Sequence, residues 1–256
     1  MIYIAAHKKF NDPHLDGYMP LQVGAEGKDD LGYLKDNSGD NISLMNPNYC
    51  ELTGLYWIWK NTEDEYKGLV HYRRYFGRSN LSSRISDVWS CQALTDQLRD
   101  HDIVLPCQTV FLQNAREQLL GCCSAETFDR LRQVISDKYP DYLTDFDSFF
   151  AQNKCSLFNM MYCRRELFDA YCSWLFDILF ELEKHVSLDD VNDYDKRLYG
   201  FLSERLINIW SVHNGLIPFY SPVIQTEMSN LEKIRLMRRN LTNNIRYHIR
   251  ESGSGK

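Results

Sequence analysis

The chain has 256 residues, a formal charge of −6, 44% hydrophobic and 25% charged side chains, the balance of a soluble globular protein with a real core. No apolar run approaches the ~20 residues that span a bilayer, and MIYIAAHKKF lacks a basic region ahead of its apolar segment, so neither a membrane span nor a signal peptide is expected. A sequence pI near 5.7 weighs against nucleic acid as a partner.

In chain order, Met1 to Ala6 predicts a buried strand that opens into a loop at His7-Lys8-Lys9. Asn11 to Pro47 is rich in Gly, Asp, Asn and Pro and reads as loop. Within it DNSGDNIS, Asp36 to Ser43, is either a solvated turn or a set of hydroxyl, amide and carboxylate groups for ribose, sugar or a divalent cation; Asp40, Asn41 and Ser43 are its candidate contacts. Asn46-Pro47 supplies an N-cap and an N1 proline for a helix carrying Leu52, Leu55, Tyr56 and Trp59.

Strands are expected at Tyr66 to Tyr72, His101 to Pro106 and Cys155 to Cys163, with helices from Ser124 to before Pro140 and from Arg165 to His185. Arg197 to Trp210 predicts a helix whose apolar stripe contains Arg205, which must be paired or face a cleft. Glu204 lies on the shoulder of that stripe, and Gly200, one turn earlier, is expected to leave open space beside it. Strands alternating with helices predict an α/β sheet protein.

Residues 1–222 are read as one domain, 223–250 as a basic amphipathic helical segment and 251–256 as a flexible tail. Leu231 to Arg250 carries +5, leaving −11 for the rest. That helix either lies on an anionic bilayer or docks on the body.

The stretch YKGLVHYRRYF delivers His71, Arg73 and Arg74 to the end of an apolar strand, where ligands collect in α/β sheets. Arginine forks match phosphate oxygens and keep their charge, so a diphosphate is the expected ligand. His7 and Lys8 end the first strand in the same manner. Asp193-Tyr194-Asp195 has DxD spacing but precedes a helix instead of ending an apolar strand, and Asp29-Asp30 and Asp189-Asp190 read as loop acids. GxGxxG, GxxxxGK[ST] and GxSxG are absent. The eight cysteines form no CxxC and are expected to be reduced and core-packed.

The blocks IAAHK, GYLKDNSGDNIS, NPNYCELTGLYWIWKN, YKGLVHYRRYF, FNMMYCRRELFDAYCSWLF and RLYGFLSERL, spread over roughly residues 1 to 215, closely resemble a bacterial family of capsular and exopolysaccharide gene clusters. That family, long classed as a domain of unknown function, contains glycosyltransferases of GT-A type, some of them galactofuranosyltransferases. The resemblance implies a GT-A-like central sheet flanked by helices with a C-terminal helical segment. It also implies a nucleotide-sugar donor and a lipid-linked or polysaccharide acceptor; with no signal peptide or span expected the protein is read as cytoplasmic, and the basic helix makes it peripheral on the inner face of the membrane in this reading.

Most GT-A enzymes hold a metal by a DxD near the end of a central strand. Here that place reads HYRR, so Arg73 and Arg74, with His7 or Lys8, are expected to do some or all of the metal's work. No cofactor is required in this reading, with Mn²⁺ or Mg²⁺ still compatible. Glu204 is the expected general base, oriented by Arg205, and Asn159 and Met160 the expected acceptor contacts. One departure from the family is Cys122-Cys123 in REQLLGCCSAETF, where a tyrosine and a histidine are expected. A non-catalytic sugar-nucleotide or glycan-binding subunit is the alternative, and a phosphate-ester hydrolase a third.

Overall fold

The computed structural model describes residues 1–189 and 191–254; Asp190 of the Asp189-Asp190 pair and the last two residues of the expected tail lie outside the described residues. An uninterrupted apolar run gives β1 (Ile2–Ala6), buried along its whole length, as befits a strand covered on both faces. The Asn11 to Pro47 stretch, expected to be loop, adds β2 (Tyr18–Gln22) and β3 (Leu34–Lys35), and β1-β2 and β2-β3 are parallel pairs. Pro20 disguises β2. It stands opposite Ile4 while β3 pairs only with Leu21 and Gln22, so the missing N–H falls where the strand has an open side.

The single helix expected from Asn46 is two, α1 (Asn46–Tyr49) and α2 (Leu52–Asn61). Met45, not Asn46, is the N-cap, and the Asn46 amide instead donates to the Cys50 carbonyl at 2.7 Å. Cys50 ends α1 at φ 53° and ψ −129°, a conformation that costs an L residue roughly 1–3 kcal/mol.

β4 (Tyr66–His71) turns through Tyr72-Arg73 into β5 (Arg74–Phe76), and α3 (Cys91–Gln97) leads to β6 (Ile103–Pro106). Next come β7 (Thr109–Val110), α4 (Ala115–Leu119), α5 (Ala125–Lys138) and α6 (Leu143–Ala151). α5 starts where expected, the Ser124 hydroxyl accepting from the Thr127 N–H at 3.0 Å.

The strand expected over Cys155 to Cys163 is split. β8 (Lys154–Cys155) pairs with β7, β9 (Met161–Arg164) enters the main sheet, and between them Phe158 and Asn159 sit at φ 80° and 51°. Side chains hold this link: the Ser156 N–H donates to Asn208 Oδ1 at 2.9 Å and the Phe158 N–H to Glu204 Oε1 at 2.8 Å. Backbone donors spent this way cannot join a ladder.

α7 (Arg165–Glu183), α8 (Leu198–His213), β10 (Pro218–Ser221), β11 (Val223–Gln225) and α9 (Asn230–Ser254) complete the chain. The helical segment expected from residue 223 thus begins at Asn230, after a strand, and runs on to Ser254.

Among the described residues nine strands form one sheet. Its main path is β10-β6-β9-β4-β1-β2-β3, with β9 running against the other six; β5 folds back from β4 and takes β11 as its outer neighbour. Tyr3, Ala5 and Leu69 face the larger core, shared with α2 and α5 to α8, while Ile2, Ile4 and Val70 face a smaller one with Tyr75, Leu94 and Ile224. This is the expected α/β arrangement, a central, mostly parallel sheet flanked by helices. The eight cysteines are free thiols.

Candidate functional site

A cleft of about 710 Å³ opens beyond the ends of β1 and β4, where α/β sheets place ligands. The YRR cluster reaches it because β4 does not simply stop. His71 pairs with Arg74 across a tight hairpin, and the Tyr72 N–H donates to the Ala5 carbonyl at 3.1 Å, stitching the turn to the end of β1. His71, Arg73, Arg74 and His7 therefore line one wall together. Lys8 stands beside them, its Nζ 5.3 Å from the centre of the Tyr72 ring, and His7 meets the same ring edge-on.

Arg73 is 41% exposed and pairs with Glu227, itself 56% exposed, at 3.2 Å; such a pair is worth about 0–1 kcal/mol, so the guanidinium is free to turn to a ligand. Arg74 is half-buried, 4.6 Å over the Phe158 ring, and its Nε is buried without a hydrogen-bond partner. An unmet donor of this kind is costly unless something completes it. Burial, then the neighbouring Arg73, lowers the Arg74 pKa. His71 Nε2 faces the Phe158 carbonyl, and its pKa falls through burial, against the pull of Glu51, with Arg74 and Arg73 adding to the fall. The ring is a neutral donor to that carbonyl at neutral pH.

The opposite wall is α8. Glu204 accepts from the Phe158 N–H and, at 2.7 Å, from Arg205 Nη1. Burial raises its pKa, Arg205 opposes the rise and Glu51 adds to it. Arg205 is 2% exposed, donates also to the Phe201 carbonyl at 2.9 Å and to the Gln118 side chain, and so fixes the carboxylate. The space expected at Gly200 is filled: a Cβ there would lie 3.4 Å from Cys50 Cβ and Sγ. Gly200 lets α8 pack against the end of α1.

Glu51, which sequence reasoning passed over, lines the cleft because the Cys50 break turns it inward. Its Oε1 accepts from Asn159 Nδ2 at 2.7 Å and lies 4.0 Å from His71 Nε2. An acid directly after NPNYC at the head of an apolar helix was the available signal. Arg197 was missed likewise; its Nε lies 3.2 Å from Cys50 Sγ. Five cationic side chains, Arg73, Arg74, Lys196, Arg197 and Arg205, line the cleft against the carboxylates Asp193, Glu51 and Glu204.

Several expected contacts lie elsewhere. Asn159 is buried and ties Glu51 to the Gly200 carbonyl of α8 at 3.0 Å, and Met160, 1% exposed, packs in the smaller core; neither lines the cleft. Asp40, Asn41 and Ser43 also stand apart from the cleft. Asp40 accepts from the Tyr56 hydroxyl at 3.1 Å, Asn41 accepts from the Ser43 N–H, and the Ser43 hydroxyl donates to buried Asp36, whose carboxylate holds the Gly24 and Ala25 N–H groups. These groups are spent on shaping the loop after β2.

Asp193 and Asp195 do not converge: Asp193 is on the cleft rim, 3.2 Å from Lys196, while Asp195 lines a neighbouring hollow of about 290 Å³ and accepts from Asn192. Among the described residues no group of three or more His, Cys, Asp or Glu is placed to hold a metal ion. Cys122 borders both spaces and Cys123 the hollow; burial pushes the Cys123 thiol up to about 12, so neither is an activated nucleophile.

The chain is similar to the apo structure of the bifunctional glycosyltransferase WbbM, with a TM-score of 0.80, 27% identity, 89% of this chain covered and 45% of that one. It therefore spans less than half the length of the protein it resembles. No curated protein matches it. A family model matches residues 1–215, most of the sheet and the whole of the cleft wall from His7 to Arg205. The chain belongs to the family described as domain of unknown function (DUF4422).

Proposed function

We propose that the cleft binds a nucleotide-sugar donor by its diphosphate and that the protein is a glycosyltransferase acting as a hexosyltransferase. The donor in this reading is UDP-linked galactofuranose or another hexose. The acceptor is a lipid-linked or polysaccharide glycan in capsule, O-antigen or exopolysaccharide synthesis. The observation that carries the proposal is Arg74, half-buried in the cleft wall with an unpartnered Nε, beside an Arg73 held by a surface ion pair and the Tyr72 ring. A diphosphate takes several such donors at once, and its charge grows as the glycosidic bond breaks. Likeness to a protein titled a bifunctional glycosyltransferase supports the transfer class.

In the reaction proposed, the acceptor hydroxyl oxygen bonds to the anomeric carbon, the bond from that carbon to the diphosphate breaks, and the hydroxyl proton passes to Glu204. The nucleoside diphosphate leaves with the bonding electrons beside Arg73 and Arg74, and attack from the opposite face inverts the anomeric centre. Of the cleft carboxylates, Glu51 and Glu204 already accept from Asn159 and Arg205, which leaves only Asp193, in an exposed pair with Lys196, free to meet a divalent ion. The charge-stabilising role is accordingly given to the arginines.

The test is a melting screen of the purified protein against UDP, GDP, CMP and dTDP sugars, followed by free-nucleotide release and mass spectrometry of product. One donor class should raise the melting temperature and be slowly hydrolysed without acceptor, with turnover surviving EDTA. Donor binding with no nucleotide release, even with acceptor glycans, would favour the glycan-binding subunit. Turnover lost to EDTA and restored by Mn²⁺ or Mg²⁺ would remove the arginines from the metal's role.

A further inference from the structure

Surface helices ordinarily turn their apolar stripe inward; α9 does the reverse. Its body-facing side is mostly polar, with Leu236 and Met237 as its half-buried apolar residues: Lys233, 4% exposed, donates to the Ser82 carbonyl at 2.6 Å, Asn243 to the Val110 carbonyl at 3.0 Å, and the Tyr247 hydroxyl to the Ala151 carbonyl at 2.7 Å. Asn240 and Asn244 bury their amide oxygens on the same side.

The opposite side carries Leu231, Ile234, Leu241, Ile245 and Ile249, from 37% to 67% exposed. At 100° per residue these five fall within a single stripe. Arg238 lies inside it, and Arg235, Arg246 and Arg239 follow along one border, all exposed. Leu81 and Leu112, also exposed, lie close in sequence to Ser82 and Val110, whose carbonyls receive Lys233 and Asn243.

We infer that α9 is a membrane-docking element that lays this stripe into the interface of an anionic lipid bilayer with its arginines at the headgroups. An apolar stripe bordered by arginines is what such an interface selects. Charge complementarity decides the occupant: Leu231 to Arg250 carries +5 while the rest of the chain carries −11, so an anionic surface attracts this helix and repels the body. A second copy of the chain would bring two such arginine borders together. The polar seam to β7 and to Ser82 fixes the helix to the body while leaving the stripe outward. This inference is independent of what the cleft binds.

The test is co-sedimentation of the full chain with vesicles of phosphatidylcholine alone or of equal parts phosphatidylcholine and phosphatidylglycerol, at low and high salt. Binding should be confined to the anionic vesicles, weaken with salt, and fall at least about tenfold in a Leu241→Asp, Ile245→Asp double variant. Replacing Arg238, Arg239 and Arg246 by Gln should remove the salt-sensitive part. Both variants touch exposed side chains, so unchanged melting curves would certify their folding. Equal binding to neutral vesicles, or no effect of either variant, would overturn the assignment. So would a concentration-dependent dimer, seen by sedimentation, that Leu241→Asp abolishes in a chain that binds no vesicle.

Discussion

Glu204 is asked to take a proton while burial pushes its pKa up and Arg205 holds it down. A base works when deprotonated, so the rate should rise with pH through this raised pKa and then level off. Glu204→Gln should lower kcat by about two to four orders of magnitude, the usual range for a general base, and abolish that acidic limb. Nucleotide affinity, given to Arg73 and Arg74 on the other wall in the proposed reading, should change little. Arg205 is a positioning residue, touching Glu204, Gln118 and the Phe201 carbonyl. In Arg205→Gln only the Phe158 N–H still opposes the burial and the nearby Glu51 charge, so the limb should move to higher pH. A pH profile of kcat for the three proteins checks both; an unmoved limb in either variant would take Glu204 out of the proton transfer.

At the scale of elements, the turn from α1 to α2 and the close approach of α8 bring the two walls into register. Gly200 is helical, with ordinary φ, and a Cβ there would only touch Cys50. Gly200→Ala should therefore stabilise the fold, by at most about 0.5–1 kcal/mol from helix propensity. Gly200→Leu should force α8 from α1, displace Glu51 and Arg197 and weaken nucleotide binding, which melting curves and calorimetric titration would separate. Elements with a plain pattern were legible beforehand: β1 and β4 as short buried runs, α5, α7 and α8 by the helical spacing of their apolar residues. β2 was not, because Pro20 interrupts it and the segments on either side are rich in Gly and Asp. The split at Phe158 was invisible for another reason: it depends on Asn208 and Glu204, about fifty residues on, claiming backbone donors that a strand would otherwise use. Of the cleft, His7, Arg73, Arg74, Glu204 and Arg205 were readable from single motifs, whereas Glu51 faces it through the positive φ of Cys50, and Arg197 lies at the start of α8 with its Nε against the Cys50 thiol.

For the molecule as a whole, the family match ends at residue 215 but the sheet does not. β10 borders β6, and β11 borders β5 on the side away from β4, so the hairpin bearing Arg73 and Arg74 has a C-terminal neighbour. The Thr226 N–H donates to the Arg73 carbonyl at 3.1 Å, and Ile224 is fully buried against Gly77, where a Cβ would come within 2.4 Å of it. Losing one such buried side chain costs about 2–5 kcal/mol, a large share of the ~5–15 kcal/mol that holds a domain folded. A chain ending at Gly215 should thus melt far lower and bind nucleotide sugar at least about tenfold more weakly, its hairpin left as an open edge. A chain ending at Met228 keeps β11 and Glu227 and loses α9, whose seam to the body is a few polar contacts and the half-buried Leu236 and Met237. It should hold the cleft and its affinity, with melting lowered modestly by the loss of Lys233, while vesicle binding disappears. Melting, calorimetric titration and co-sedimentation of the three lengths decide this. Equal nucleotide affinity in the Gly215 chain would mean that β4 and β1 alone set the arginines, and lost affinity in the Met228 chain would place α9 in the cleft's own support.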